Sequence, residues 1–286
     1  MATIFELYIV EPDFTYARQA AQAAFAELDR LEQELSRFIE TSDISRINHH
    51  RSRDPLRIGL DAFECLLQCS QLYQETDGAF DITSGGIMDR QLRQETANSK
   101  SSGENFQELR QPFGMHQLEL DEQNLTVRLK RFPIHLDLGG FGKGYALDRM
   151  GALLAEWDIS IALLHGGWST VLALDAPPDS EGWKVSISHP QHQEILKIFV
   201  LKNQALSGSG VQKGQHIINP RTAQPAQEKI AAWSMAAAAA IADGLSTAFM
   251  VMEPEEIERL CAKYCDLSAW VLSAADDRLR QVPSCE

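Results

Sequence analysis

The sequence lacks any long apolar run. Its most apolar stretch, "AAWSMAAAAAIADG", is short, rich in alanine and broken by Asp243, which excludes a transmembrane helix there. It also lacks an excess of positive charge: 26 Lys and Arg stand against 40 Asp and Glu, a formal net charge of −14. That balance leaves no electrostatic footprint for nucleic acid or anionic lipid. The opening residues, "MATIFELYIV", have no basic leader, long apolar core or cleavage signature and read as a strand, so a cytoplasmic protein with no membrane anchor is expected. Cysteine is sparse: Cys65, Cys69, Cys261, Cys265 and Cys285. Two pairs have i, i+4 spacing, which would put each pair on one helix face. Structural zinc sites usually space their ligands differently, so buried reduced thiols are favoured over a four-thiol zinc site.

Both common nucleotide-binding motifs are missing too. The stretch "HLDLGGFGKGYALDRM" holds four glycines and a lysine between aspartates. A P-loop would need glycine at position 137 and Ser or Thr after Lys143; Asp137 and Gly144 stand there. Gly140, Gly142 and Gly144 are spaced G-x-G-x-G, which fails the dinucleotide fingerprint as well. What remains is a strand end, small residues with exposed main-chain N–H groups and a helix N-terminus. Read alone, these ingredients fit a tight structural turn as well as an anion site.

The 286 residues are 44% hydrophobic, an ordinary globular composition. Helical periodicity runs over 15–38 and 61–76, with "ETSDISRINHH" as a polar loop between them. "HQLELDEQNLTVRLKRF" reads as a hairpin bending at "DEQN". A helix opens at the glycine turn, and "ISIALLHGGWSTVLAL" is a strand pair interrupted by Gly-Gly. "GWKVSISHP" and "EILKIFVLKN" are further strands, and "SGSGVQKGQHIINPRTAQP" reads as a long loop. Strands arrive in hairpins between helices, which predicts an α+β fold with largely antiparallel sheets and packed helices. One domain over 1–286 is expected, with a mobile insertion at 94–108. In "ADGLSTA", Asp243 and Thr247 lie one helical turn apart, which places a carboxylate and a hydroxyl on one face. They fit a Mg²⁺ site, and equally a helix cap with a packed threonine.

Six segments, in order, resemble the ApbE family, the Mg-dependent FAD:protein FMN transferases. They are "LSRFIETSDISRIN", "TDGAFDIT", "LDLGGFGKGYALD", "LLHGGWSTVLAL", "HIINPRTAQP" and "ADGLSTAFMV". The resemblance covers nearly the whole chain and implies an ApbE-like fold. It also implies a reaction: cleavage of FAD, attachment of FMN to a Thr or Ser hydroxyl of a partner protein, and release of AMP. By the same resemblance, Asp243, Thr247 and the main-chain carbonyl of Gly142 hold Mg²⁺. Gly140, Lys143, Gly144, Ser209 and Gly210 lie against FAD, Phe38 stacks on the flavin, and His216 is the catalytic base. Asp81 and Thr83 belong to the rim of the site or its support.

The chain departs from the family pattern around the presumed site. Gly142 replaces alanine, Gly208 a threonine, Asn219 an aspartate and Ala223 a glycine, while Trp168 follows Gly-Gly where a small or polar residue is common. "GGIMDRQ" stands where the family usually has a Pro-Leu…Trp segment. Two alternatives follow from these departures: a flavin-binding protein that has lost transfer, and a Mg-dependent FAD pyrophosphatase.

Overall fold

The computed structural model describes residues 3–85, 114–211 and 217–282. The expected insertion at 94–108 lies outside them, as does the catalytic candidate His216. In chain order the elements are β1 (Phe5–Ile9), α1 (Phe14–Leu35), α2 (Asp43–His49), β2 (Leu56–Arg57), α3 (Leu60–Glu75), β3 (Leu118–Asp121) and β4 (Thr126–Leu129). They continue with α4 (Gly142–Glu156), β5 (Ala162–Gly166), β6 (Thr170–Ala173), β7 (Trp183–Ser188), β8 (Ile195–Leu201), β9 (Gln204–Gly210), β10 (Ile218–Asn219), β11 (Gln224–Pro225) and β12 (Lys229–Ala236). The last are α5 (Ala239–Phe249), α6 (Pro254–Lys263), β13 (Ser268–Ser273) and β14 (Leu279–Val282).

A seven-stranded sheet in the order β1-β5-β6-β9-β12-β13-β14 organises the molecule. Every neighbouring pair in it is antiparallel. Strand side chains alternate between faces, and here each face has its own core. Leu164, Leu172, Ala205 and Ala232 face the helices, in one large cluster with Leu31 of α1, Leu147 of α4 and Phe249 of α5. Leu163, Val171, Leu206, Ala231 and Trp270 face the other way, against Ile187, Phe199 and Leu201 of the β7–β8 hairpin. The α+β class and the antiparallel character expected from the hairpin pattern are what the chain adopts.

Helix α1 starts where Asp13 caps it, its carboxylate accepting from the amides of Thr15 at 2.8 Å and Tyr16 at 3.1 Å. Its buried residues Ala20, Ala24, Leu31 and Leu35 follow the helical period. Two segments differ from the sequence reading. The expected polar loop contains α2, N-capped by Ser42, whose hydroxyl accepts from Ser45 N at 3.0 Å. Its buried side chains are Ile44 and Ile47 together with the polar Asp43, Ser45 and Asn48, so polar residues interrupt the apolar pattern. The expected loop "SGSG" is the end of β9, where Gly208 opposes Trp233 of β12. A Cβ at Gly208 would lie 2.5 Å from the Trp233 ring, so this strand glycine makes room for an indole. The departure at Gly208 is therefore coupled to Trp233.

Three of the four described cysteines are buried, as the favoured reading expects, and Cys265 departs from it. Cys65 and Cys69 are buried free thiols of α3, Cys261 is buried and Cys265 exposed. Burial pushes both α3 thiols well above the ordinary thiol range. Among the described residues no helix is long and apolar enough to cross a membrane.

Candidate active site

Helices α4 and α5, the ends of β6 and β9, and the loop after α1 enclose a cleft of about 1300 Å³. Phe38, Gly140, Gly142, Lys143, Ser209, Gly210, Asp243 and Thr247 all line it. Eight of the residues singled out in the sequence, drawn from four separate segments, thus meet on one surface. Gly144 does not line the cleft. Its N–H donates to Asp243 at 3.2 Å, and its Cα faces the main chain of α5, where an added Cβ would overlap the Ala239 carbonyl. Gly144 serves the close approach of two helices rather than forming the cleft surface.

Asp243 is the buried centre, with 1% of its surface exposed. It sits inside α5 and does not cap that helix. The cap of α5 comes from Asp148 of α4, whose two carboxylate oxygens accept from Ala239 N at 2.7 Å and Ala240 N at 2.8 Å. Burial pushes Asp148 up to about 6. The Asp243 carboxylate receives the Lys143 ammonium at 2.9 and 3.1 Å. It also accepts from the hydroxyls of Thr170 and Ser207, each at 3.3 Å. The ammonium donates as well to the Gly139 carbonyl at 3.2 Å.

The hydroxyls continue outward from Asp243. Thr247 Oγ1 lies 3.1 Å from Ser209 Oγ, which lies 2.9 Å from Ser246 Oγ. Gly140 brings the glycine turn onto Thr247, because a Cβ there would stand 2.8 Å from the threonine hydroxyl. Thr170, Ser207, Ser246 and Asp148 were missed as site residues in the sequence. Their only sequence signal is a hydroxyl-rich pair of strand ends, "STV" and "LSGSG", and the aspartate closing the glycine-turn segment.

The residues present fit a hard divalent cation. A carboxylate taken out of water needs positive charge beside it, and here a lysine ammonium shares it with ring-like hydroxyl donors. Asp243, Thr247 and main-chain carbonyls of the glycine turn are all oxygen ligands of the kind Mg²⁺ takes.

The rims of the cleft are aromatic. Phe38 is 82% exposed and Trp168, in the β5–β6 turn, 95% exposed. The Arg37 guanidinium lies 4.6 Å from the Phe38 ring centroid and 3.3 Å from the Asp137 carboxylate, tying the Phe38 loop to the glycine turn. Asp81 also lines the cleft. Burial pushes its carboxyl up to about 6 against the pull of hydrogen bonds from Thr83 N and Oγ1.

Beyond residue 216 the chain returns to the cleft through Ile217, Ile218 and Pro220. The Asn219 side chain accepts from Arg221 N at 3.0 Å, and its carbonyl accepts from Ala223 N at 2.7 Å. Ala223 has φ +59°, a left-handed conformation that favours the glycine the family pattern has there. Ala223→Gly is expected to raise stability by up to about 1 kcal/mol. Thermal melting checks this: an unchanged or lower Tm would show that the turn carries no strain.

A charged pole flanked by exposed rings thus lies over a mixed helix-and-antiparallel-sheet frame, the arrangement of a cleft enzyme. The chain is a member of the ApbE family, whose model matches residues 1–271. It is 26% identical over 224 residues to the FAD:protein FMN transferase of Chlamydia muridarum, covering 75% of this chain and 69% of that relative. It is 24% identical over 285 residues to that of Klebsiella pneumoniae, covering 91% and 79%. Its fold is similar to the flavin transferase ApbE from Vibrio cholerae, with a TM-score of 0.84, 22% identity, and 99% and 94% of the two chains covered.

Proposed function

We propose that this chain, acting as one domain, is a Mg²⁺-dependent FAD:protein FMN transferase that modifies a Thr or Ser hydroxyl of a partner protein. The observation that carries the reading is the convergence of the glycine turn, Lys143, Asp243 and Thr247 in one cleft, in a chain of this family. Lys143 and the main-chain N–H of Gly140 bind the FAD pyrophosphate beside the N-terminus of α4. Asp243, Thr247 and the Gly142 carbonyl would hold Mg²⁺, which when bound neutralises pyrophosphate charge. Phe38 stacks on the flavin, while Ser209 and Gly210 border the cofactor from the end of β9.

In the reaction the partner's hydroxyl oxygen attacks the FMN phosphorus. A new P–O bond forms, the bond to the AMP phosphate breaks, and AMP leaves as its anion. His216 takes the hydroxyl proton. Lys143 stabilises the charge that collects on the phosphates as AMP departs.

Incubating the protein with FAD, Mg²⁺ and a mixture of candidate acceptor proteins tests this. Covalent flavin fluorescence on a denaturing gel, matched by AMP release, is expected. AMP without covalent flavin would instead establish a pyrophosphatase, and intact bound FAD a binding module.

The turn makes its own prediction. A Cβ at Gly142 would touch only Leu138 Cβ, at 3.5 Å, so Gly142→Ala should keep both fold and FAD binding. Gly144→Ala should cost about 3 kcal/mol or more, because neither main chain can give way. Equal melting temperatures for the two variants would overturn the packing role of Gly144.

A further inference from the structure

We propose that the free edge of β7 receives the acceptor protein as an added β-strand, which carries the hydroxyl to be modified into the cleft. This rests on the transfer reading above and names how the second substrate is held.

Strand β7 pairs with β8 alone. Among the described residues nothing hydrogen-bonds to its other edge. Val185, Ser186, Ile187 and Ser188 all line the cleft, whereas no residue of β8 does. Side chains alternate between the two faces of a strand. Four successive residues can therefore border one cleft only if the strand turns its edge, the main chain itself, toward it. Every second residue of that edge offers an N–H and a C=O with no partner strand. Such an edge is ordinarily a liability that a protein covers or charges. Here it opens onto the reaction site, and its sequence "WKVSIS" carries a single charge.

The edge is held ready. One face of the hairpin is packed through Ile187, Phe199 and Leu201 against the large sheet. At the tip, buried His189 lies 2.8 Å from Asp277 in the β13–β14 turn through Nε2, while Nδ1 accepts from the amides of Gln191 and His192 at 3.1 and 3.2 Å. Because Nδ1 is an acceptor, Nε2 carries the proton and donates it to Asp277. With both nitrogens committed, His189, His192 and Asp277 act as a staple for the hairpin rather than as metal ligands. A strand docking here meets an ordered template and adds little ordering cost.

The size of the cleft calls for a second occupant. About 1300 Å³ exceeds the roughly 300–1,000 Å³ of a single small-molecule site. A segment that brings a hydroxyl to the pyrophosphate must enter extended, and an extended segment needs partners for its own main chain. Strand addition supplies them with little demand on sequence, alternate side chains giving the selectivity. The outward face of β8 exposes Ile195, Ile198 and Val200, an apolar surface on the strand next to β7.

The probe is a library of twelve-residue peptides with one central threonine, incubated with the protein, FAD and Mg²⁺ and captured by covalent flavin fluorescence. A captured peptide is then remade with single N-methylated amides. Methylation at every second residue should lower kcat/KM about tenfold, the loss of one hydrogen bond, and methylation between them should do little. A Ser186→Cys variant should form a disulfide with cysteines placed at alternate positions of the same peptide. Losses without alternation, or no trapping at position 186, would overturn the proposal. AMP release without any captured peptide would overturn it while leaving FAD cleavage intact. Absence of FAD cleavage under all conditions would overturn both this proposal and the transfer reading.

Discussion

Asp243→Ala is expected to abolish Mg²⁺-dependent release of AMP from FAD and to leave FAD affinity measured without Mg²⁺ nearly unchanged. The carboxylate is 1% exposed, so it is poorly placed to meet solvent or a large ligand directly. Its accessible role is to concentrate negative charge where a cation can approach from the cleft. Lys143 already does so from 2.9 Å, and its side chain, about a fifth exposed, can withdraw toward the cleft. The two partners are therefore not equivalent. Removing Asp243 frees a lysine that can reach water, whereas removing Lys143 strands a buried carboxylate among neutral donors. Breaking a buried pair from the side that leaves the charge behind costs several kcal/mol in general. With Thr170, Ser207 and Gly144 N–H still donating, about 1–3 kcal/mol is the expected loss for Lys143→Met. Added Mg²⁺ should recover much of that loss. Titrating Mg²⁺ against AMP release and melting temperature reads all of these effects. The same Mg²⁺ dependence in wild type and Asp243→Ala would sink the assignment of Asp243 as a metal ligand.

What could be read from the sequence was whatever short-range order encodes. The glycine turn opens α4 because small residues let the main chain turn tightly, and the Asp243–Thr247 spacing puts two oxygens on one helix face in any helix. The "DEQN" bend does join β3 to β4. The long-range partners were out of reach. Lys143 and Asp243 are 100 residues apart, and nothing local to either announces the ion pair. Helix α2 was hard to see because it is only seven residues long and Asp43, Ser45 and Asn48 are buried in it beside Ile44 and Ile47. Asn48 is buried only because its side chain exchanges two hydrogen bonds with Leu136, donating to O at 3.0 Å and accepting from N at 2.6 Å. That exchange fixes the segment leading into the glycine turn, so an unremarkable asparagine holds the turn from behind. The end of β9 was misread because glycine and serine carry a loop signature, whereas here Gly208 answers to Trp233 on the next strand. In each case a residue's partner across the fold, and not its own propensity, decides its structure.

His216→Ala is expected to slow acceptor-dependent AMP release by about 10²–10⁴-fold, the usual contribution of a general base, and to leave FAD binding intact. The residues that follow it in sequence, Ile217, Ile218 and Pro220, line the cleft. Its neighbourhood in sequence also allows a finer test. Asn219 stands where the family pattern has aspartate, and its side-chain oxygen accepts from Arg221 N at 3.0 Å. Aspartate keeps that acceptor, so Asn219→Asp should fold normally. The new charge would not be cancelled by Arg221, whose guanidinium is engaged with both oxygens of Glu256 at 2.6 and 3.1 Å. A carboxylate near an imidazole favours the imidazolium and raises its pKa. A general base works only when deprotonated, so a raised pKa moves the rising limb of the pH–rate curve to higher pH. Wild type should therefore gain activity at lower pH than Asn219→Asp, and the shift should vanish in the His216→Ala background. Superimposable profiles would show that residue 219 does not sense the base. Full acceptor-dependent turnover in His216→Ala would show that the proton leaves by another route, and the catalytic role of His216 would fall with it.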